Sequence, residues 1–124
     1  MSAGKNVLQV EKGASFRRRF TYKDGDGLPI DISDVVDIQM EIREAESTPV
    51  LLRASKLSGE FEWETDGTDG VFLLAFTPTQ TLSVETSSKL LYDILLVRSE
   101  TDVTRIVQGT AMFLAAITQP TFTP

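Results

Sequence analysis

Hydrophobic residues recur at every second position in short segments of this chain, and turn-forming residues separate the segments. A period of two predicts β-strands with one buried face, not helices. The clearest segment runs from Val36 to Arg43, where Val36, Ile38, Met40 and Ile42 alternate with Asp37, Gln39, Glu41 and Arg43. One face belongs to a core and the other carries charge to water. Before it, Val7-Leu8-Gln9-Val10 ends at Gly13, and Phe16 to Tyr22 places Phe16, Arg18, Phe20 and Tyr22 on one side. Lys23-Asp24-Gly25-Asp26-Gly27-Leu28-Pro29 then supplies a strong turn signal.

The second half continues the pattern. Glu44 to Pro49 breaks the third strand, and Val50 to Ala54 reads as a fourth, near a sheet edge. A short strand over Phe61 to Glu64 is closed by Asp66-Gly67-Thr68-Asp69-Gly70, and Val71 to Phe76 follows. Thr77 to Ser88 is read as a connection with one helical turn, capped by Thr77 ahead of Pro78. Leu90 to Val97 is a long strand; Ser99 to Asp102 turns the chain, and Val103 to Ile117 returns, with Gly109 as the expected bulge or bend. About seven to eight antiparallel strands at this spacing predict an all-β, two-sheet sandwich, with a barrel as the alternative. Residues 1–117 form one domain in this reading, and 118–124 a C-terminal tail that needs a neighbour to be ordered.

Two strands break the alternation in the same way. Leu90 to Val97 has apolar residues on both parities, and so does Val71 to Phe76. A free sandwich buries one face of each sheet, so a surplus apolar face must be covered by a loop, a tail or another chain. Phe72, Leu74, Phe76, Leu95 and Val97 are therefore the candidate protein interface, and Thr118 to Pro124 a candidate docking arm. The alternative is that the Thr77–Ser88 connection covers the surplus.

Composition narrows the chemistry. The 124 residues include no Cys and no His. That excludes disulfides, thiolate or imidazole metal ligands, and the Ser-His and Cys-His nucleophile pairs. No pair among the many carboxylates is singled out for acid–base work, so the chain is expected not to be an enzyme and to use no cofactor or metal. The formal net charge of -6 argues against a nucleic-acid surface. The N-terminus has no apolar signal region and no run is long enough to span a membrane, so a soluble protein is expected. Asp24 to Gly27 superficially resembles the opening of a calcium loop but lacks the later ligands and reads as a hairpin turn. Arg17 and Arg19 are expected to be solvated, pairing with Asp37 or Glu41; Arg18 is expected to reach the rim or a carboxylate. Trp63 is a core or rim aromatic, or the stacking platform of a carbohydrate-binding module.

Several motifs occur in a telling order. They are Phe16-Arg17-Arg18-Arg19-Phe20-Thr21-Tyr22-Lys23-Asp24, Gly27-Leu28-Pro29-Ile30-Asp31-Ile32-Ser33 and Ile38-Gln39-Met40-Glu41-Ile42-Arg43. Leu91-Tyr92-Asp93-Ile94-Leu95-Leu96, Val103 to Gly109 and Ala111-Met112-Phe113 follow. Together, from about Val7 to Phe113, they resemble small structural proteins of tailed bacteriophages, similar to the N-terminal domain of siphophage baseplate upper proteins. Each motif is a turn or core pattern; their order and spacing carry the resemblance. It implies an immunoglobulin-like fold, no catalytic residues, and a virion part made in the host cytoplasm. Asp34 stands where the family has Gly, and the chain ends at Pro124 where baseplate upper proteins continue into a receptor-bearing part. The expectation is therefore a tail or baseplate adaptor that contacts other virion proteins in a multi-copy assembly. No nucleic acid, membrane or small-molecule substrate is expected as partner. A capsid decoration protein is the alternative from the same class.

Overall fold

The computed structural model describes residues 4–85 and 87–115. Eight strands and one short helix follow in order: β1 (Gly4–Glu11), β2 (Phe16–Thr21), β3 (Asp37–Arg43), β4 (Leu52–Ser55), β5 (Phe61–Trp63), β6 (Val71–Phe76), α1 (Pro78–Leu82), β7 (Ser87–Ser99) and β8 (Asp102–Leu114). They form a five-stranded sheet, β1-β8-β7-β3-β4, and a three-stranded sheet, β2-β6-β5. β2, β6 and β5 take the places of strands B, E and D of an immunoglobulin sandwich. β3, β7 and β8 take those of C, F and G, and β4 extends that sheet as C′. The chain is an all-β, immunoglobulin-like sandwich.

The alternating patterns explain why the sheets face each other. Ile38, Met40 and Ile42 of β3 and Leu90, Tyr92, Ile94 and Leu96 of β7 point into the same core. From the other sheet come Phe20, Phe61, Phe72, Leu74 and Phe76. Phe72 is the hub: its ring stacks on Phe20 at 5.2 Å between centroids and meets the edge of Phe61 at 5.7 Å. Such aromatic pairs add about 0.5–1.5 kcal/mol to simple area burial. All three rings belong to the three-stranded sheet and form one aromatic surface, on which the aliphatic side chains of the five-stranded sheet pack in a chain without cysteine.

Asp37 is the exception inside β3. Its side chain is buried, and Oδ1 accepts the backbone N–H groups of Ile38, Lys56 and Leu57 at 2.9, 3.0 and 3.1 Å. The carboxylate thus fixes the start of β3 to the turn leaving β4. At the opposite end of the sandwich, Thr77 caps α1 in a full capping box with Gln80, with Pro78 in the first turn. Thr81 of this helix is wholly buried; its hydroxyl accepts Gly13 N–H at 3.0 Å and donates to the Ala14 carbonyl at 2.9 Å. The described part of the Thr77–Ser88 connection therefore closes one end of the core, where Val84 is also buried. It ties down the β1–β2 turn.

Several expectations need correction. The sandwich is not wholly antiparallel, because β1 pairs with β8 in parallel. A chain that passes from one sheet to the other between β1 and β2 makes no hairpin, so nothing forces antiparallel pairing there. The bulge expected at Gly109 lies elsewhere: pairing steps from Ile94↔Val107 to Leu95↔Arg105, which leaves Ile106 as the extra residue. Gly109 serves a close approach instead. A Cβ there would sit 1.8 Å from the Asn6 carbonyl oxygen of β1. The tail, 118–124, lies outside the described residues.

Candidate functional site

The five proposed interface residues do not share a surface. β6 belongs to the three-stranded sheet and β7 to the five-stranded one, so the two doubly apolar strands lie in different layers. Phe72, Leu74 and Phe76 are 0%, 0% and 3% exposed: they are core, not interface. The parity of β6 that faces outward is Leu73 and Ala75. Two apolar parities could not reveal which one faces the opposite sheet; the bulkier, more aromatic set won the inside. Leu95 and Val97 do stand on an outer face, each half-buried.

That outer face can be built from the register. On β7, Leu91, Asp93, Leu95 and Val97 alternate with the buried Leu90, Tyr92, Ile94 and Leu96. Val97 pairs with Val103 of β8 and Leu95 with Arg105. Because Ile106 is bulged, the outward parity of β8 then switches to Gln108 and Thr110, opposite Asp93 and Leu91. Gln39, Glu41 and Arg43 come from β3, Arg53 from β4 and Val7 from β1. Leu91, Val103 and Val7 are 39%, 50% and 53% exposed. β7 is the middle strand of the five, so an apolar ridge, interrupted by Asp93, runs along the centre of the face.

Charge surrounds the ridge in pairs. Glu41 binds Arg43 at 2.6 Å through one oxygen and Arg53 at 3.1 Å through the other. Asp93 binds Arg105 at 3.0 Å. Arg43 is further held by donating to the Thr48 carbonyl at 2.7 Å. A depression of about 780 Å³ opens over one end of the face, lined among others by Val7, Glu41, Leu91, Asp93, Arg105 and Gly109. Its paired carboxylates leave no acidic cluster for a metal: among the described residues, no three His, Cys, Asp or Glu side chains are placed to hold one.

Beneath this depression lies a polar tie that the sequence did not disclose. Arg18 meets an amide, not a carboxylate: it donates to Asn6 Oδ1 at 2.6 Å, with its guanidinium 5.9 Å from the Phe20 ring centre. Tyr92 donates its hydroxyl to the Asn6 carbonyl at 3.1 Å. Burial pushes that hydroxyl up to about 12, against a smaller opposing pull from the Arg18 charge. Asn6 thus joins both sheets, with Gly109 under its carbonyl. Nothing in a lone Asn before an apolar run signals this role.

The remaining candidates are structural. Arg19 makes a two-pronged pair with Glu64, not with Asp37 or Glu41, which lie in the other sheet. Trp63 packs against the core and lies under the Lys56 ammonium, 5.2 Å away, and a Cβ on Gly67 would be 3.0 Å from its ring. Asp24 is a turn residue, its Oδ1 accepting the N–H groups of Asp26 and Leu28. Asp31 and Asp66 accept from the hydroxyl and then the backbone N–H of Ser33 and Thr68, and those hydrogen bonds, the hydroxyl's first, hold both carboxyls below the usual range.

No protein-family model matches the chain, and a search among curated proteins finds no match either. Among solved structures, similarity is found to an immunoglobulin-like domain of mouse leukocyte-associated immunoglobulin-like receptor 1, crystallised as a strand-swapped dimer. That likeness has 11% identity and a TM-score of 0.48, over 87% of this chain and 88% of that one. A chicken T-cell receptor matches at 8% identity and a TM-score of 0.48, over 88% of this chain and 47% of the receptor chain. At these values neither likeness adds to the strand order and pairing, on which the immunoglobulin-like assignment rests.

Proposed function

We propose that the chain is a protein–protein contact module of a tailed-bacteriophage particle, acting as a tail or baseplate adaptor. One observation carries the contact role: the apolar ridge Leu91-Leu95-Val97-Val103, set in paired charges on the outer face of the five-stranded sheet. An apolar centre with a polar rim is the anatomy of an interface. The phage context is supported by the ordered motifs from Phe16 to Phe113. The particle would take up this domain through the sheet face, leaving the core residues of β6 uninvolved.

The test is replacement of the gene by one encoding Leu95→Asp in the phage that carries it. The isolated variant is expected to melt cooperatively, because Leu95 lies outside the core. Particles are expected to lack the protein or fail to complete their tails. Normal incorporation of a folded Leu95→Asp chain would remove the proposal, and recovery of the wild-type protein with empty heads in place of tails would assign it to capsid decoration.

A further inference from the structure

We infer that the partner seated on this face is a second copy of the same chain, joined face to face about a two-fold axis. The inference rests on reading the face as an interface, and it adds the identity of the occupant.

Charge distribution is the first argument. The segments 22–36, 65–70 and 98–102 carry eight carboxylates, less two cations, Lys23 and Arg98, which equals the whole chain's net charge of -6. These segments lie at one end of the sandwich: Ile32 N–H donates to the Gly67 carbonyl, Tyr22 N–H to that of Gly70, and Arg98 pairs with Asp34. Two copies meeting through that end would set like charges against each other. The outer sheet face is different. Glu41 and Asp93 are interleaved there with Arg43, Arg53 and Arg105, so it is locally close to neutral and offers both signs. A basic partner would be drawn to the acidic end instead. A copy of this acidic chain meets no repulsion on the sheet face.

Geometry is the second argument. A two-fold contact uses the same patch on both copies, so it must be self-complementary. Here the apolar ridge lies on the central strand, interrupted by Asp93, and the charges paired with or beside it stand on β3, β4 and β8. Rotation about an axis along β7 lays ridge on ridge and carries each copy's β8 over the other's β3, so that Arg105 falls over Gln39, two residues from Glu41, while each Asp93 stays paired with its own Arg105. At about 4.8 Å between strands and about 3.3 Å per residue, some seven residues each on β8, β7 and β3 and about four each on β1 and β4 give a flat projection of roughly 450 Å². That is below the roughly 800 Å² per partner of standard stable complexes and in the range of weak pairs, so the dimer is expected to depend on concentration.

Sedimentation velocity on the purified full chain, over a range of concentrations, tests this. The expected result is a species of twice the 13.7 kDa chain mass that grows with concentration. Leu95→Asp, and separately Val103→Lys at a half-exposed position, are each expected to weaken it at least tenfold, with melting curves confirming both folds. A wild-type chain that stays monomeric at the highest soluble concentration would overturn the inference, as would a dimer indifferent to both substitutions. A monomeric wild type combined with Leu95→Asp failing to enter particles would remove the second copy and leave the adaptor reading intact. A ridge-dependent dimer combined with normal particle entry would do the reverse.

Discussion

At the scale of single residues, the least replaceable position is Gly109. It is not a turn glycine; it lies within a strand, under the Asn6 carbonyl that also receives the Tyr92 hydroxyl. Gly109→Ala must push β1 off β8, and we expect a loss of about 3 kcal/mol, measured by urea unfolding. Gly25→Ala is the control, since nothing lies within 4 Å of the added carbon; it should change stability by less than about 0.5 kcal/mol. Tyr92 makes a prediction in pH. Its hydroxyl is raised by burial from 10.0 to about 12, so the folded state favours the protonated phenol. The resulting stability is complete below pH 10 and is lost as pH rises through 10 towards 12. Tyr92→Phe should flatten that part of the curve relative to wild type in urea titrations between pH 9 and 12. An unchanged slope would show that the phenol does not ionise differently on folding.

At the scale of elements, strand existence was legible because a period of two is imposed by the pleat itself. Val71–Phe76 and the Thr77–Pro78 cap are found where the sequence places them. Orientation was legible only where one parity was polar, as in Ile38–Arg43; at the start of that run the reading fails, since Val36 is exposed and Asp37 is buried by its hydrogen bonds to the turn leaving β4. In β6, with both parities apolar, nothing local says which faces the other sheet; Phe72, Leu74 and Phe76 are the ones that join the core with Ile38, Met40 and Ile94, distant in sequence. In β8 the bulged Ile106 reverses the outward parity midway, so no single alternation describes the strand. The parallel pairing of β1 and the Asn6 tie are likewise products of tertiary placement. The corrected orientation predicts a sharp contrast in unfolding experiments. Phe72→Ala should cost about 3–5 kcal/mol, as a core aromatic does, whereas Leu95→Ala should cost no more than about 1 kcal/mol. Asp37→Ala belongs with the first class. It strips an acceptor from three backbone N–H groups, and roughly 2–3 kcal/mol should be lost.

At the scale of the whole molecule, the sandwich is electrically lopsided. Its acidic turns lie at one end, while the broad sheet face beside them is nearly neutral and apolar along its centre. Polarity of this kind suits a part that must meet neighbours through one surface and keep the others apart. The central claim is that the surface is the outer face of the five-stranded sheet. Because the chain has no cysteine, a single introduced thiol reports its own position without interference. Leu95→Cys marks the ridge, and Glu62→Cys marks the outside of the three-stranded sheet, where Glu62 is exposed. The rate of thiol labelling should be measured for both, in the dilute chain and in the assembled state. The account predicts that assembly slows labelling at position 95 many-fold and leaves position 62 nearly as fast as before. Equal labelling at position 95 in the two states, with protection at position 62 instead, would contradict it.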